Sequence, residues 1–535
     1  MSTQPFDSAT LEVLWTRLVS IVDEAAAALV RTSFSTVVRD SHDFSCVITD
    51  AEGRSLVQAT DSIPSFIGTL PRTIRHFLDE YPAETLQPGD VLITNDIWMG
   101  TGHLPDISVG KPIFFNGNLV GFAGSTAHAP DIGGKIRSPE PREVFEEGFQ
   151  IPIMKLIRAG EPDETFFRLL RKNVRTPDEV VGDLWAQITA LDLMDARIDT
   201  FMTEYGLATL DDLATEIQSR SERAMRAAIV ALPDGVYKNT IRTDGLTEPL
   251  DLKVTITIDG DEVHADFTGS APQVDKAINC AMCYTYAMTA YAIKCAAAPN
   301  LPNNDGSIRP IKATAPEGCI LNPQFPASGG SRALIGHFVP SLIFGALAKV
   351  IPEKIMAGAG SPLWCINQSG VTESGAPFAK LFFFNGGMGG TNQTDGQSCL
   401  SWPSNISTTP IEVIEQLAPL RVHKRELRQD SGGNGEYRGG LGQEVLFEST
   451  SKTPTAVAFL AERTRVGAPG IAGGEDGAKG ELQINGRTVD PKQQHIIKTG
   501  DTVMMRTPGG GGYGASQDRN TALIERDRAE DKVSD

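Results

Sequence analysis

The sequence predicts an α+β, multidomain chain, and three observations carry that prediction. A helical run at 10–33 stands directly before hairpin-like strands. A strictly alternating segment at 251–267 opens a second unit. The last third, from about 411, is a succession of glycine-rich stretches and short β-like runs. The expected divisions are an N-terminal mixed α/β unit (1–232), a central α+β unit (233–410), a β-rich unit (411–516) and a flexible polar tail (517–535). At 535 residues the chain is long enough to bury several cores.

The elements follow in order. In TLEVLWTRLVSIVDEAAAALVRTS (10–33), Leu11, Leu14, Trp15, Leu18, Val22, Ala25 and Leu29 recur at three- and four-residue steps, and Thr10 can cap the start. FSCVITDAEGRSLVQA (44–59) reads as a hairpin around Asp50-Ala51-Glu52-Gly53, with Asp43 at the mouth of its first strand. A helix near 70–80 leads to GDVLITND, a strand ending in Asn95-Asp96. After the loop GTGHLPD come two short strands, ISVGKPIFF and LVGFAGSTA, the second ending at His128. Residues 163–232 are mainly helical, and a new unit begins near Pro233. There, Val254, Ile256 and Ile258 face Val263, Ala265 and Phe267 across an Asp-Gly turn, which leaves His264 on the solvated face. The run Gly509–Gly512 reads as a tight loop.

Composition excludes several classes of partner. Forty-eight basic against 67 acidic side chains give −19, which argues against a nucleic-acid backbone or an anionic membrane surface. The start, MSTQPFDSATLEVL, has no basic n-region and no apolar h-region, so no secretory leader is expected. Seven scattered cysteines fit a reducing compartment, and the expected location is cytoplasmic. The apolar runs at 281–293 and 338–348 are too short to span a bilayer. Together with the glycine-punctuated runs, they are expected to bury against another chain. Cys280 and Cys283 form a CxxC with no second pair, read as a buried structural pair. Neither a GxxxxGK[ST] phosphate loop nor a GxSxG elbow occurs.

The chemistry concentrates in two similar settings. Of eight histidines, His103 and His128 each precede an aspartate by three residues with a proline between: HLPD ends at Asp106, and HAPD at Asp131. Imidazole and carboxylate suit zinc, manganese or iron. His103, Asp106 and His128 can supply three ligands, and Asp43 a fourth if its hairpin joins the same sheet. Spacing alone leaves open the alternative that each HxxD is a hydrogen-bonded loop turn. His42, beside Asp43, is read as lying behind the ligands or at the surface.

The chain resembles the B subunit of the hydantoinase/5-oxoprolinase family, which includes subunits of caprolactamase and of acetone and acetophenone carboxylases. The motifs that carry the resemblance run almost end to end. They include RDSHDFSCVITDAEG, GDVLITNDIWMGTGHLPDISV, AHAPDIGG, EEGFQIPIMKL, DFTGSAPQV, LPNNDGSIRPI, GGMGGTNQTDGQ, RQDSGGNGEYRGGLGQE and TPGGGGYG. The resemblance implies a heteromeric enzyme whose A subunit takes up ATP and Mg and phosphorylates the substrate or bicarbonate. The B subunit then holds a divalent metal on His103, Asp106 and His128, with Asp43 as the fourth candidate. The expected activity is ATP-dependent ring opening of a hydantoin, oxoproline or lactam, with Asp131 or Asp96 orienting water. A component of an ATP-dependent ketone carboxylase is the alternative, and a third reading is a non-catalytic assembly subunit. Two departures stand out: Ile97-Trp98 replaces the family's frequent PY after Asn95-Asp96, and Ala129 replaces a second histidine after His128. Trp98, a candidate substrate contact, and Ala129 imply a more apolar approach, compatible with a cyclic amide.

Overall fold

The computed structural model describes residues 6–360 and 363–534; the first five residues of the start on which the leader expectation rested lie outside them. Seven strands form the first sheet: β1 (Phe44–Asp50), β2 (Ser55–Gln58), β3 (Val91–Thr94), β4 (Asp106–Phe115), β5 (Asn118–His128), β6 (Met154–Arg158) and β7 (Glu161–Pro162). Their order is β2-β1-β5-β4-β3-β6-β7, and every neighbouring pair is antiparallel. The hairpin expected at 44–59 is β1–β2, and the two strands expected to be short are ten and eleven residues long.

Helices cover both faces of this sheet. On one side pack Ser8–Thr32 and Pro177–Tyr205, which close a core with Phe44, Cys46, Ile48, Val109 and Ala123. The first helix is capped by Asp7, whose carboxylate accepts from the Ala9 and Thr10 amides, and not by Thr10 as expected. On the other side Thr69–Glu80 lays Leu70, Ile74 and Phe77 onto Val47, Leu92 and Phe122. Burying each such side chain contributes about 1.5–3 kcal/mol. Gly110 and Gly124 make the approach possible, because a Cβ there would come within 3.0 Å of Phe77 or Ile74.

Helix gives way to strand between Val230 and Gly235. The second sheet has the order β11-β10-β9-β8, from β8 (Gly235–Thr243), β9 (Leu250–Asp259), β10 (Glu262–Asp266) and β11 (Ile311–Thr314). Its β9–β10 register pairs Ile258 with Val263 and Ile256 with Ala265, the alternation read from the sequence. His264 hydrogen-bonds Thr314 on the outer face. The apolar runs at 281–293 and 338–348 are helices, Met282–Ala297 and Phe338–Leu347, buried in this chain's own second core. An all-round apolar helix belongs in a core, so the expectation that these runs await another chain is corrected. Among the described residues no helix is long and apolar enough to cross a membrane.

The third unit is a sandwich. One sheet is β13-β12-β16-β19, built from β12 (Trp364–Val371), β13 (Pro377–Phe384), β16 (Thr455–Leu460) and β19 (His495–Ile497). The other is β14-β15-β20-β17-β18, built from β14 (Leu420–Leu427), β15 (Gln443–Ser449), β17 (Glu481–Ile484), β18 (Arg487–Thr488) and β20 (Thr502–Arg506). Phe382, Phe384, Phe447, Phe459 and Val503 fill the space between them. The expected division at 411 therefore cuts a sheet, since β12 pairs with β16 from Cys365↔Leu460 onward. That pairing joins residues far apart in the chain, which periodicity does not register.

Beside the sandwich, glycine segments lie against one another as a bundle. Gly510 donates to the Gly440 carbonyl, Gly433 to Gly510, Gly390 to Gly511 and Gly511 to Gly358. Gly509–Gly512 is thus not a tight loop. None of its four residues has a positive φ, and a Cβ at Gly510 would lie 1.9 Å from the Met388 carbonyl oxygen. Glycine serves here for close backbone approach. The tail, expected to be flexible, forms the helix Thr521–Ala529. Its buried Asp527 receives Arg438 (3.0 Å) and Arg519 (2.5 Å).

Candidate metal centre

The spacing of the two histidine settings follows from strand register. Asp106 opens β4, His128 closes β5, and the two are directly paired across the antiparallel ladder. On the other flank of β5, Phe44 pairs with Ala127, and the His128 amide donates to the Asp43 carbonyl at 3.0 Å. Asp43, His128 and Asp106 thus arrive side by side at one end of the sheet. His103 comes from the loop before β4. Gly102 turns that loop at φ +96°, and a Cβ there would meet the Arg332 side chain at 2.8 Å.

His103, Asp106 and His128 are all buried, and their ligand atoms lie within 4.8 Å of one another. The ring centroids of the two histidines are 5.2 Å apart. His103 Nδ1 sits 3.2 Å from the Gly330 carbonyl oxygen, and His128 Nδ1 sits 2.8 Å from that of Ala129. A carbonyl only accepts, so each Nδ1 carries the proton and each Nε2 presents a lone pair. Arg137, which only donates, confirms this for His128 by approaching its Nε2 at 3.1 Å. His103 Nε2 and Asp106 Oδ1 are 2.7 Å apart without hydrogen-bond geometry, and both are buried atoms lacking a hydrogen-bond partner. Two orphaned lone-pair donors and a third beside them fit a divalent cation.

The charges around the cluster favour the ligating forms. Burial holds the His103 imidazolium down at about 4, helped by the Arg332 guanidinium and opposed by Asp106. Burial, then Arg137, pushes His128 well below its ordinary value. Burial would raise Asp106, but His103 and Arg332 more than offset it and keep its carboxyl well below the usual range. Neutral imidazoles beside an ionised carboxylate are the forms that bind metal. Asp106 Oδ2 is also gripped by Thr101 Oγ1 at 2.5 Å and by Arg332 at 2.8 Å.

The other sequence candidates fall differently. Asp43 is buried next to the cluster, but its carboxylate is not among the converging ligand atoms. Burial and the Asp106 charge push its carboxyl up to about 7. Asp131 and Asp96 do not receive the imidazole N–H groups. Asp131 is bound by the Arg175 side chain at 2.7 Å and by the Arg175 and Gly133 amides. Asp96 accepts from the Trp98 and Met99 amides and so closes a local turn. Trp98 donates to the Pro323 carbonyl and lies against Phe325, outside the cavity beside the cluster. His42 pairs with Asp61 at 2.7 Å at the surface.

That cavity, of about 40 Å³, is reached past His128, Ala129, Asp131, Arg137, Glu147 and Asn367. Arg137, Glu147 and Arg332 carry much of its electrostatics, and sequence reasoning missed all three. Glu147 Oε1 accepts from Ser328 Oγ and from the Gly329 and Gly330 amides (2.7 and 2.6 Å). It thereby fixes the Gly330 carbonyl that orients His103. Glu147 lay inside a recognised motif, EEGFQIPIMKL, but more than 200 residues separate Arg332 from Asp106, and no spacing signals that contact.

The comparisons with known proteins agree with this architecture. Residues 7–516 match the hydantoinase B/oxoprolinase family, and the chain belongs to that family. It is 32% identical to the putative D-/L-hydantoinase B subunit of Pseudomonas sp. (strain NS671), over 97% of this chain and 92% of the relative. The crystal structure of the ATP-dependent caprolactamase from Pseudomonas jessenii superposes with a TM-score of 0.89 at 26% identity, covering 99% of this chain and 95% of that one. A nucleotide-free acetone carboxylase structure shares the fold, with a TM-score of 0.88 at 19% identity over 98% of this chain and 78% of that one.

Proposed function

We propose that this chain is the metal-bearing B subunit of a heteromeric, ATP-dependent cyclic amide hydrolase that opens a hydantoin, oxoproline or lactam ring. The observation that carries the reading is the convergence of His103, Asp106 and His128, with the lone pairs of His103 Nε2 and Asp106 Oδ1 unspent and that of His128 Nε2 met only by Arg137. Zinc, manganese or iron bound there supplies Lewis acidity toward an amide carbonyl. The protein's own residues do the rest. His103 and His128 are held in the ligating tautomer by the Gly330 and Ala129 carbonyls. Arg332 and Thr101 fix the Asp106 carboxylate. Arg137, at the cavity wall beside His128, can donate to the oxygen of a bound amide or phosphate. Ala129, Ile132, Ile136 and Leu381 give that cavity apolar walls suited to a hydrocarbon ring.

ATP, Mg and possible bicarbonate use belong to an A-type partner subunit in this reading, because this sequence has no phosphate loop. Relatives that are the B component of a hydantoinase and the β component of a caprolactamase support a two-subunit assembly, which in the cell is cytoplasmic. The test is to co-purify the chain with that partner and screen hydantoin, oxoproline and lactams against ketones with ATP. Ring opening coupled to ADP release supports the proposal. Bicarbonate-dependent carbon fixation onto a ketone replaces it with the carboxylase reading. Substrate-dependent ADP formation by the partner-free chain contradicts the division of labour.

A further inference from the structure

A second cleft shares no residue with the cavity beside His128. It consists of two adjoining hollows of about 530 and 230 Å³ that have Gln58, Ile67 and Asn303 in common. Its walls are the β1–β2 hairpin, the helix Thr69–Glu80, the helix Met282–Ala297 and the loop 299–305.

The polar groups of this cleft are unevenly satisfied. Arg75 pairs with Asp305, and Arg309 with Asp305 and Glu222. Lys294 is only 8% exposed, yet its ammonium makes no hydrogen bond or ion pair with any described residue; its titratable neighbour is the Cys295 thiol. The Arg72 guanidinium, in the first turn of Thr69–Glu80, also has no hydrogen-bond or ion-pair partner among the described residues. Its charge is felt at His76 and Tyr286, which line the same hollow. Asn303 Oδ1 and His76 Nε2 are buried atoms without a hydrogen-bond partner. The Lys294 stem is buried while its ammonium opens into the smaller hollow, where no described side chain offers it an acceptor and water or a bound anion must do so. On a chain of net charge −19, unspecific attraction does not draw anions here either.

We propose that this cleft binds a small organic polyanion, with Lys294 receiving one acid group and Arg72 another. Tyr286, beside Arg72, and Lys294 are eight residues apart on one helix, a backbone rise of about 12 Å, and the long Arg72 and Lys294 side chains can reach toward one ligand lying between them. A compact polyanion, either the phosphate chain of a nucleotide or a short dicarboxylic acid, can then meet both cations. Asn303 and Gln58, where the hollows meet, hydrogen-bond the part between the acids. The inference does not rest on the metal centre.

The test is calorimetric titration of the full chain with ATP, tripolyphosphate and adipate. At least one probe should bind saturably, and Lys294→Gln and Arg72→Gln should each weaken it tenfold or more. His103→Ala should leave that affinity unchanged. Binding of ATP but not adipate assigns a phosphorylated ligand, and the reverse a dicarboxylate. Without ligand, Lys294→Gln should leave the thermal midpoint at or above wild type, because it removes no contact within the chain. The proposal is overturned if no probe binds at millimolar concentration, if binding is insensitive to both substitutions, or if it disappears in His103→Ala. A lowered midpoint in Lys294→Gln would also overturn it, since it would mark the lysine as structural.

Discussion

Two buried polar clusters in this molecule are built from similar groups and end in opposite states. At the C-terminal helix, Asp527 and Asp395 are met by Arg438 and Arg519 through contacts of 2.5–3.3 Å, and the set closes on itself. At the end of the first sheet, His103 Nε2 and Asp106 Oδ1 face each other with no hydrogen bond. The first cluster is a staple that holds the tail on the glycine bundle. The second leaves two buried ligand atoms without a partner, the opening that a bound cation would fill. Burial of charge is thus not by itself the mark of a site; unspent lone pairs that converge are.

The largest expected effect lies at the unspent cluster. His103→Ala or His128→Ala should lower turnover of the assembled enzyme by at least ~100-fold while the thermal midpoint stays near wild type, since neither side chain fills a core. A kinetic assay paired with a melt checks both halves. If the variants melt far below wild type, the cluster is structural and the contrast fails. His264→Ala and His423→Ala, on solvated strand positions, should change neither turnover nor metal content.

The glycine bundle sharpens the contrast from the other side. Gly510→Ala places a methyl where the Met388 carbonyl already lies, and backbone cannot yield as a side chain can. The expected loss is upward of ~3 kcal/mol, read as a lowered denaturation midpoint or insoluble protein. Unchanged stability would mean that the bundle tolerates separation of its segments.

At the staple, Asp527→Ala leaves Arg438 buried without its carboxylate and should cost about 3–5 kcal/mol, with metal content untouched. Burial raises Asp527, but the hydrogen bonds from Arg438 and Arg519 more than offset it, so its carboxyl lies below the ordinary 3.8. Asp395 is lowered in the same way, against burial, by Arg519. Depressed values contribute stability above pH 3.8 that is lost as pH falls through the lower folded values. Hydrogen exchange at Thr521–Ala529 should therefore rise only below about pH 3.8. Release of the helix near neutrality would contradict the pairing.

Much of the first sheet was legible because its determinants are local. The β1–β2 hairpin, the β9–β10 alternation and the position of His128 at a strand end all follow from period and turn residues close together in the chain. The convergence of His103, Asp106 and His128 was legible for the same reason, since Asp106 and His128 are partners in one hairpin. What escaped was non-local or context-dependent. Nothing in its own sequence marks 364–384 as belonging with 455–460. Gly509–Gly512 suggested a turn because glycine permits positive φ, whereas the structure uses its missing side chain. The tail looked solvated because its charges are visible in sequence and their partners, Arg438 and Asp395, are not. A carboxylate or carbonyl partner for each imidazole N–H is expected from the chemistry, and both partners are carbonyls, but proximity in sequence points to Asp131 and Asp96 and not to Gly330, which lies 227 residues from His103.

The central claim is that His103, Asp106 and His128 converge to hold one cation. Metal analysis of the chain purified with its partner, after removal of loosely held ions, tests it most directly. The account predicts one divalent ion per chain in the wild type, none in His128→Ala, and an unchanged content in Asp527→Ala. Equal metal content in wild type and His128→Ala would contradict it.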